Sequence, residues 1–545
     1  MSDAAVVSDA EAETLFSDLR EAVQRGERER ALDLAERCEA ADLEHPLILT
    51  LAAEAAEARA DDERAAGLLR RAIDLAPEQA EAWRRFAVVL GRLGLLEPAR
   101  TAADHALSLA PDAGPCLVAA GAAAFAVGDL APATTHYEAA AASGSIEAIE
   151  ALGAIAGRRG QAKEARDLAG RALAAAPDRV GAVLTLARAD LLEADPSAAD
   201  RRLTELLAGA ISEALEVAAL DLRAEARDAL GETDRAFADY QARNVRIARA
   251  NRPTPGQERR LDEAHRLTTW FGEADARTWR RRAGDDREGA GTVRRHAFLV
   301  GFPRSGTTLI EKALASHPQV VTLEEVDCLG EAGRDFLAGP AQLSDLETID
   351  QEEADRRRAV YWRGVRQSLG KDLAGKTLLD KLPLHTLALP VIAKLFPDAT
   401  ILFALRDPRD VVLSCFRRRF RQNAAMAEFL TLPDAARYYD AIMTLAGVYR
   451  ALLSLEALEV RHEAIVADFD ARLGHVLDAL DLPWDDAVRG FAARAAARPR
   501  TPSDLQLAAG LNEAGLGQWR RYAPYLGGVR AILDPWAVRL GYSSA

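Results

Sequence analysis

The residues best suited to chemistry lie at 296–314, HAFLVGFPRSGTTLIEKAL. An apolar run from Ala297 to Val300 meets a turn at Gly301 to Gly306, and Leu309, Ile310, Ala313 and Leu314 follow at helical spacing. A strand, a loop and a helix in that order aim consecutive backbone N–H groups and the positive end of a helix at one point, the usual way to hold a phosphate. Against the nucleotide-binding pattern GxxxxGK followed by Ser or Thr, Gly301 and Gly306 fit, but Thr307 stands where the lysine that reaches the outer phosphates belongs. That substitution disfavours a nucleoside triphosphatase. The basic group sits inside the loop as Arg304, and Ser305, Gly306, Thr307 and Thr308 lead into the helix with two hydroxyls at its start. Such an arrangement suits a 5′-phosphate that carries a transferable group and needs no magnesium clamp.

With these residues in view, RSGTTL at 304–309 resembles the 5′-phosphosulfate loop of the sulfotransferases, and among them the tyrosylprotein sulfotransferase group. The resemblance continues through ASHPQV at 315–320, LLDKLP around Lys381, RDPRDVVLSCFRRRF from Arg406, VRHEAIV around His462 and TPSDLQL at 501–507, and covers about 294–545. It implies a P-loop-like α/β sulfotransferase domain with a central parallel sheet. The donor would be 3′-phosphoadenylyl sulfate (PAPS), used as a co-substrate without a metal. Glu325 falls at the family's catalytic base, Lys381 at its transition-state lysine and Ser503 at its sulfate-contacting serine. Arg406, Ser414 and Arg418 fall at its 3′-phosphate element, where a planar guanidinium can grip a dianion with two bonds and a hydroxyl can add a donor. Arg417, Arg419 and Arg421 read as a solvated basic helix face. Two positions depart from the family pattern: His462 replaces a tyrosine, and Gln518 replaces a basic residue whose contact Arg520 or Arg521 could supply.

In-line transfer of a sulfuryl group needs a base for the acceptor, a clamp on the moving group and a cation at the leaving oxygen. The resemblance assigns these to Glu325, to Arg304 with Ser503, and to Lys381 with Arg304; Thr307 and Thr308 would hold the 5′-phosphate. Glu324 is the substitute base, otherwise a surface carboxylate beside the site. His317 and His385 read as turn or core residues, because neither has a sequence neighbour that would fix a tautomer. Two rival readings stay open: a P-loop small-molecule kinase, and a protein-interaction scaffold with a degenerate transferase domain. The acceptor, whether a peptide, a protein or a small molecule, is not legible, since acceptor contacts come from loops such as 326–375.

These residues need elements to carry them, and at 545 residues the chain must fold as more than one unit. Aromatics make up only 6% of a chain rich in alanine, which favours helix-on-helix packing over much of its length. Pro77 and Pro111 are 34 residues apart, as are Gly94 and Gly128, and that spacing is the tetratricopeptide (TPR) period. Trp83, Ala87, Leu90, Ala99, Ala103 and Ala106 fill one copy, and Gly121, Ala133, Tyr137 and Ala140 the next, with weaker copies on both sides. The expected fold class is therefore α and α/β. A TPR-like α-solenoid over 1–250 is followed by a charged, Pro- and Gly-bearing linker over 251–293 with a short helix near Leu261 to Phe271, and then by the α/β domain over 294–545. A curved solenoid offers a concave surface for a protein partner.

A formal charge of −15 argues against a general nucleic-acid binder. The sequence has no run of 18 apolar residues and its acidic N-terminus is unlike a secretory leader, so the expectation is a cytoplasmic protein without membrane contact. Cys38, Cys116, Cys328 and Cys415 have no metal-ligand spacing.

Overall fold

The structure, a computed structural model, describes residues 9–251, 256–279, 286, 292–370, 373–453, 455–497, 510–511, 513 and 515–543. Its packing divides the chain into two compact units, Met1–Arg202 and Leu203–Ala545.

The first unit is a run of helices from Asp9–Gln24 onward, paired as helix, turn, helix in the repeat expected from the 34-residue period. In the best copy Ala80–Arg92 pairs with Leu96–Leu109, and Gly114–Val127 with Leu130–Ala142. Small side chains let the helices approach: Ala103, Ala106, Ala133 and Ala140 are fully buried. Gly121 is needed because a Cβ there would stand 2.8 Å from the ring of Tyr137 in the partner helix. The unit is held by a series of small apolar clusters between neighbouring pairs, as a solenoid requires.

The second unit is built on a five-stranded parallel sheet in the order β2-β3-β1-β4-β5. Its strands are β1 (Arg295–Gly301), β2 (Val320–Glu324), β3 (Thr377–Lys381), β4 (Thr400–Leu405) and β5 (Glu456–Arg461). The strands β3 and β4 are buried on both faces, and most of β1 is too, which is why they read as near-continuous apolar runs. After β1 the chain crosses through the loop helix Thr307–Ala315 to β2 on one side; after β4 it runs through the guanidinium helix Pro408–Arg417 toward β5 on the other. The order therefore reverses between β1 and β4, and an open parallel sheet binds its ligand in the crevice at such a reversal, outside the carboxyl ends of the strands. The site residues sit at those ends: Gly301 closes β1, Glu324 β2, Lys381 β3, Leu405 β4 and Arg461 β5.

The helices Glu213–Ala229 and Thr233–Ala250, in phase with the repeats by sequence, pack within the second unit. The segment read as a linker contains the helix Arg260–Gly272, as expected, but that helix is no free tether. Leu261, Ala264, Leu267 and Phe271 are buried in the core of the second unit, and Arg259 pairs with the buried Glu428 at 2.5 Å. Sequence periodicity reports helix pairing, whereas unit membership depends on which apolar face meets which core, and that is a tertiary property.

At Gly301 the strands β1 and β4 come so close that a Cβ would lie 2.7 Å from the carbonyl oxygen of Ala404, and φ is +148°. Neither the backbone nor the neighbour can yield cheaply. Gly301→Ala is expected to destabilise the second unit by about 2 kcal/mol or more, read as a lower denaturant midpoint at unchanged m-value.

Candidate active site

The loop after β1 is drawn tight by Ser305, whose N–H donates to the carbonyl of Phe302 at 3.2 Å, and the loop helix starts on Gly306 at φ +93° with no side-chain cap. First-turn N–H groups without a cap, at the positive end of a helix, favour an anion. Arg304 is held at φ +72°, a region non-glycine residues rarely occupy. The conformation turns its side chain onto the guanidinium helix, where its Nε donates to Ser414 Oγ at 3.0 Å, while its carbonyl accepts from Arg406 Nη1 at 3.2 Å. Arg406 is 9% exposed, its Nη2 donates to the carbonyl of Gly515, and its Nε is buried with no hydrogen-bond partner among the described residues. Burial, then the charges of Arg418 and Arg406, push the Arg304 guanidinium down to about 9. Guanidiniums keep their proton in proteins, so the depression expresses first the cost of burying this charge and then its crowding by two other guanidiniums, both of which a bound anion would relieve.

Thus Arg304, Ser305, Gly306, Thr307 and Thr308 form one continuous cradle, and Arg406 and Ser414 are bonded directly to it. Arg418 lies one residue beyond the guanidinium helix, its charge acting on Arg304 and its Nη1 3.8 Å from Glu225. Ser503 lies outside the described residues.

Glu325 and Lys381 meet at the ends of β2 and β3. The Glu325 N–H donates to the carbonyl of Lys381 at 2.9 Å, and Lys381 Nζ donates to Glu325 Oε1 at 2.7 Å. Glu325 is the second non-glycine site residue with positive φ, at +53°. Its side chain is 48% exposed while that of Lys381 is fully buried, so the carboxylate faces solvent with the lysine behind it. Its charge also acts on Arg304, which ties this pair to the loop after β1.

Glu324 is not the surface carboxylate that the sequence suggested. Both its oxygens accept from Lys312 Nζ at 3.0 Å, and it stands 3.7 Å from Lys381. Lys312 also lies 3.3 Å from Glu311, whose carboxyl is pushed up by burial and then by the Glu324 charge and is bonded by Thr322 Oγ1 at 2.7 Å. Lys312 and Glu311 are thus residues that sequence reading missed. A charge just past the first turn of an apolar helix was the available signal, since a buried Lys is almost always paired.

The far end of the cradle has its own anchors. Asp410, also missed, accepts from the N–H groups of Gly517 and Trp519 at 2.7 and 2.8 Å, and Arg409 stacks 3.9 Å over the Trp519 ring while pairing with Asp407. Glu463, next to His462, accepts from the Asp407 N–H at 2.9 Å. Arg521 is turned to Asp228 at 3.1 Å and Arg520 lies over Trp519, so neither stands with Arg406. Arg417 is not part of a solvated face: it pairs with Asp228, lies 4.9 Å over Tyr522, and accompanies Gln518 at 3.5 Å. Arg419 and Arg421 are exposed.

His317 is a turn residue, with Nδ1 accepting from the Gln319 N–H at 3.1 Å and Nε2 against the Pro483 carbonyl at 2.9 Å. His385 does have partners: Asp327, distant in sequence, at 3.3 Å, and the buried Asp380, only five residues before it, at 3.7 Å. Among the described residues no group of three or more His, Cys, Asp or Glu side chains could hold a metal ion, and no helix is long and apolar enough to cross a membrane.

Residues 297–486 match the family model described as the sulfotransferase family. The chain is 26% identical over 268 residues to protein-tyrosine sulfotransferase 1 of Danio rerio, covering 45% of this chain and 71% of that one. It is 25% identical over 250 residues to an uncharacterized protein of Aquifex aeolicus (strain VF5), covering 44% of this chain and only 32% of that protein's length. Among solved structures, a tetratricopeptide repeat protein from Parabacteroides merdae ATCC 43184 is similar at 15% identity and a TM-score of 0.35, over 43% of this chain and 92% of that one.

His462 lies against the loop after β1, where a Cβ on Gly306 would be 2.5 Å from its Nδ1, an atom that is buried without a hydrogen-bond partner among the described residues. Burial first, then the Arg406 and Arg304 charges, lower its pKa to about 3. Between that value and the ordinary one near 6.5 the unfolded chain binds the proton and the folded chain does not, so stability falls as pH falls through this window. Replacing it as His462→Gln removes that penalty. The melting temperature of the natural protein minus that of the variant is expected to decrease from pH 7 to pH 5, and a pH-independent difference would refute the assignment.

Proposed function

We propose that the second unit transfers a sulfuryl group from 3′-phosphoadenylyl sulfate to an acceptor hydroxyl, with a protein tyrosine the first acceptor to test because the Danio rerio relative is named for it. The observation that carries the reading is the bond from Arg406 to the carbonyl of Arg304. It joins a loop suited to a 5′-phosphate to a buried guanidinium suited to a second, 3′-phosphate. That second anion pocket separates this donor from ATP, and the missing loop lysine counts against the kinase reading.

The donor supplies an activated sulfur, whose bond to the 5′-phosphate oxygen breaks as a bond to the acceptor oxygen forms. The protein's share is positional and electrostatic. Thr307, Thr308 and the amides of the loop hold the 5′-phosphate. Arg406, Ser414 and Arg418 hold the 3′-phosphate. Glu325, facing solvent, takes the acceptor's proton. Lys381, 2.7 Å from that carboxylate and aided by Arg304, offers positive charge to the leaving oxygen. Ser503 belongs to the proposal as a donor to the sulfuryl oxygens. Two buried carboxylate contacts, Glu324 to Lys312 and to Lys381, keep the lysine's stem at the strand ends.

In the same reading the repeats of the first unit, up to Arg202, present the acceptor or a protein partner, and the helices from Glu213 to Gly272 belong with 294–545 to the transferase. All four cysteines are free thiols, which fits a reducing, cytoplasmic setting.

Glu325→Gln is expected to cut turnover by about 10²- to 10⁴-fold while leaving nucleotide affinity within about twofold. Arg406→Ala is expected to weaken adenosine 3′,5′-bisphosphate far more than it weakens ADP. Calorimetry with both nucleotides on the natural protein comes first: preference for the bisphosphate supports the transferase, preference for ADP the kinase, and binding of neither the scaffold.

A further inference from the structure

The guanidinium helix Pro408–Arg417 ends in the interior, and its last carbonyls must find donors there. They find them on another element. Arg243, which is 0% exposed, donates through Nη2 to the carbonyl of Phe416 at 2.9 Å and through Nη1 to the carbonyl of Arg417 at 3.0 Å. Asn244 Nδ2 donates to the same Phe416 carbonyl at 3.1 Å. The Asn244 amide oxygen in turn accepts from Arg243 Nε and Nη2 at 3.0 and 2.8 Å, and Asp221 pairs with Nη1, so the fork has one available orientation. Both residues belong to the helix Thr233–Ala250, and Asp221 to Glu213–Ala229.

The same helix pair grips the residues that follow. Asp228 pairs with Arg417 and accepts from the Tyr522 hydroxyl at 2.7 Å, Glu225 stands 3.8 Å from Arg418, and Phe237 stacks on Phe416 at 5.2 Å and on Tyr525 at 4.0 Å. Beyond the capped carbonyls the backbone turns at Arg418 to an extended conformation, φ −94° and ψ 137°. The direction of Arg418, and the depth at which Ser414 meets Arg304, are therefore set where Arg243 holds the helix end. A guanidinium at a helix C-terminus also complements the negative end of the dipole, and the fork geometry makes a lysine a poor substitute.

We propose that the helix pair Glu213–Ala250 is a built-in part of the nucleotide site, with Arg243 and Asn244 as positioning residues that aim Ser414 and Arg418 at the donor's 3′-phosphate. This rests on the reading of that pocket given above. It makes the last helical pair a component of the transferase rather than a docking repeat, and it predicts selective damage to one end of the nucleotide.

The test is calorimetry of the full chain with adenosine 3′,5′-bisphosphate and with adenosine 5′-monophosphate, alongside thermal unfolding. The natural protein must first bind the bisphosphate more tightly; if it does not, the 3′-phosphate reading itself fails and takes this inference with it. Given that preference, Arg243→Met is expected to weaken the bisphosphate by about tenfold and the monophosphate by less than about twofold. Should Arg243→Met not fold, Asn244→Ala, which removes one donor, is expected to erode the same ratio by a few-fold. Arg246→Met, on the same helix but paired with Glu216, is the control and leaves both affinities unchanged. Equal loss of both nucleotides, or no loss of either, in a folded Arg243 or Asn244 variant overturns the proposal.

Discussion

Arg406 reaches across from the end of β4 and donates to the carbonyl of Arg304 in the loop after β1. Much of the site depends on that contact, because it sets how far the amides of the loop lie from the guanidinium pocket. It forms where the sheet order reverses, the one place in a parallel sheet where two adjacent strands send their following helices apart and leave a crevice. Gly301 allows the two strand ends to approach, Arg304 adopts a left-handed conformation, and Ser414 meets its Nε. The result is positive charge gathered in a partly buried place. On its own that destabilises the fold, and a bound anion would offset it.

The chemistry of the opposite wall follows from register. Because β2 and β3 pair in parallel with Glu324 opposite Lys381, the chain leaving β2 must present Glu325 at the end of β3. The turn there is strained, and its N–H is bonded to the lysine's own carbonyl. A carboxylate and a cation are thus fixed within one hydrogen bond of each other by backbone geometry rather than by side-chain freedom. The buried alternation of Lys312, Glu324 and Lys381 then keeps each charge partnered, which lowers the cost of holding a fully buried lysine at the strand ends.

What the sequence could show was what is local. The strand, loop and helix around Gly301 to Leu314 are as expected, since periodicity and turn chemistry act over neighbouring residues. The repeats of the first unit are likewise written in small residues at fixed intervals. What could not be read is what depends on distant partners. His385 finds Asp327 58 positions away, and Arg243 finds Phe416 173 positions away. Glu324 looked like a surface carboxylate because nothing nearby in sequence announced that Lys312 would turn toward it across the sheet end. For the same reason the helix Arg260–Gly272 could be located but its burial in the second core could not. Arg417 looked like one more charge in a basic run, yet Asp228 and two tyrosine rings enclose it.

The most direct measurement is a crystal structure of the full chain with adenosine 3′,5′-bisphosphate. One nucleotide is expected to span the crevice, its 5′-phosphate over residues 304–308 and its 3′-phosphate between Arg406 and Ser414, with Glu325 and Lys381 beside the 5′-phosphate. A nucleotide bound in the reverse sense, or elsewhere on the sheet with the Arg406 pocket uninvolved, would contradict it.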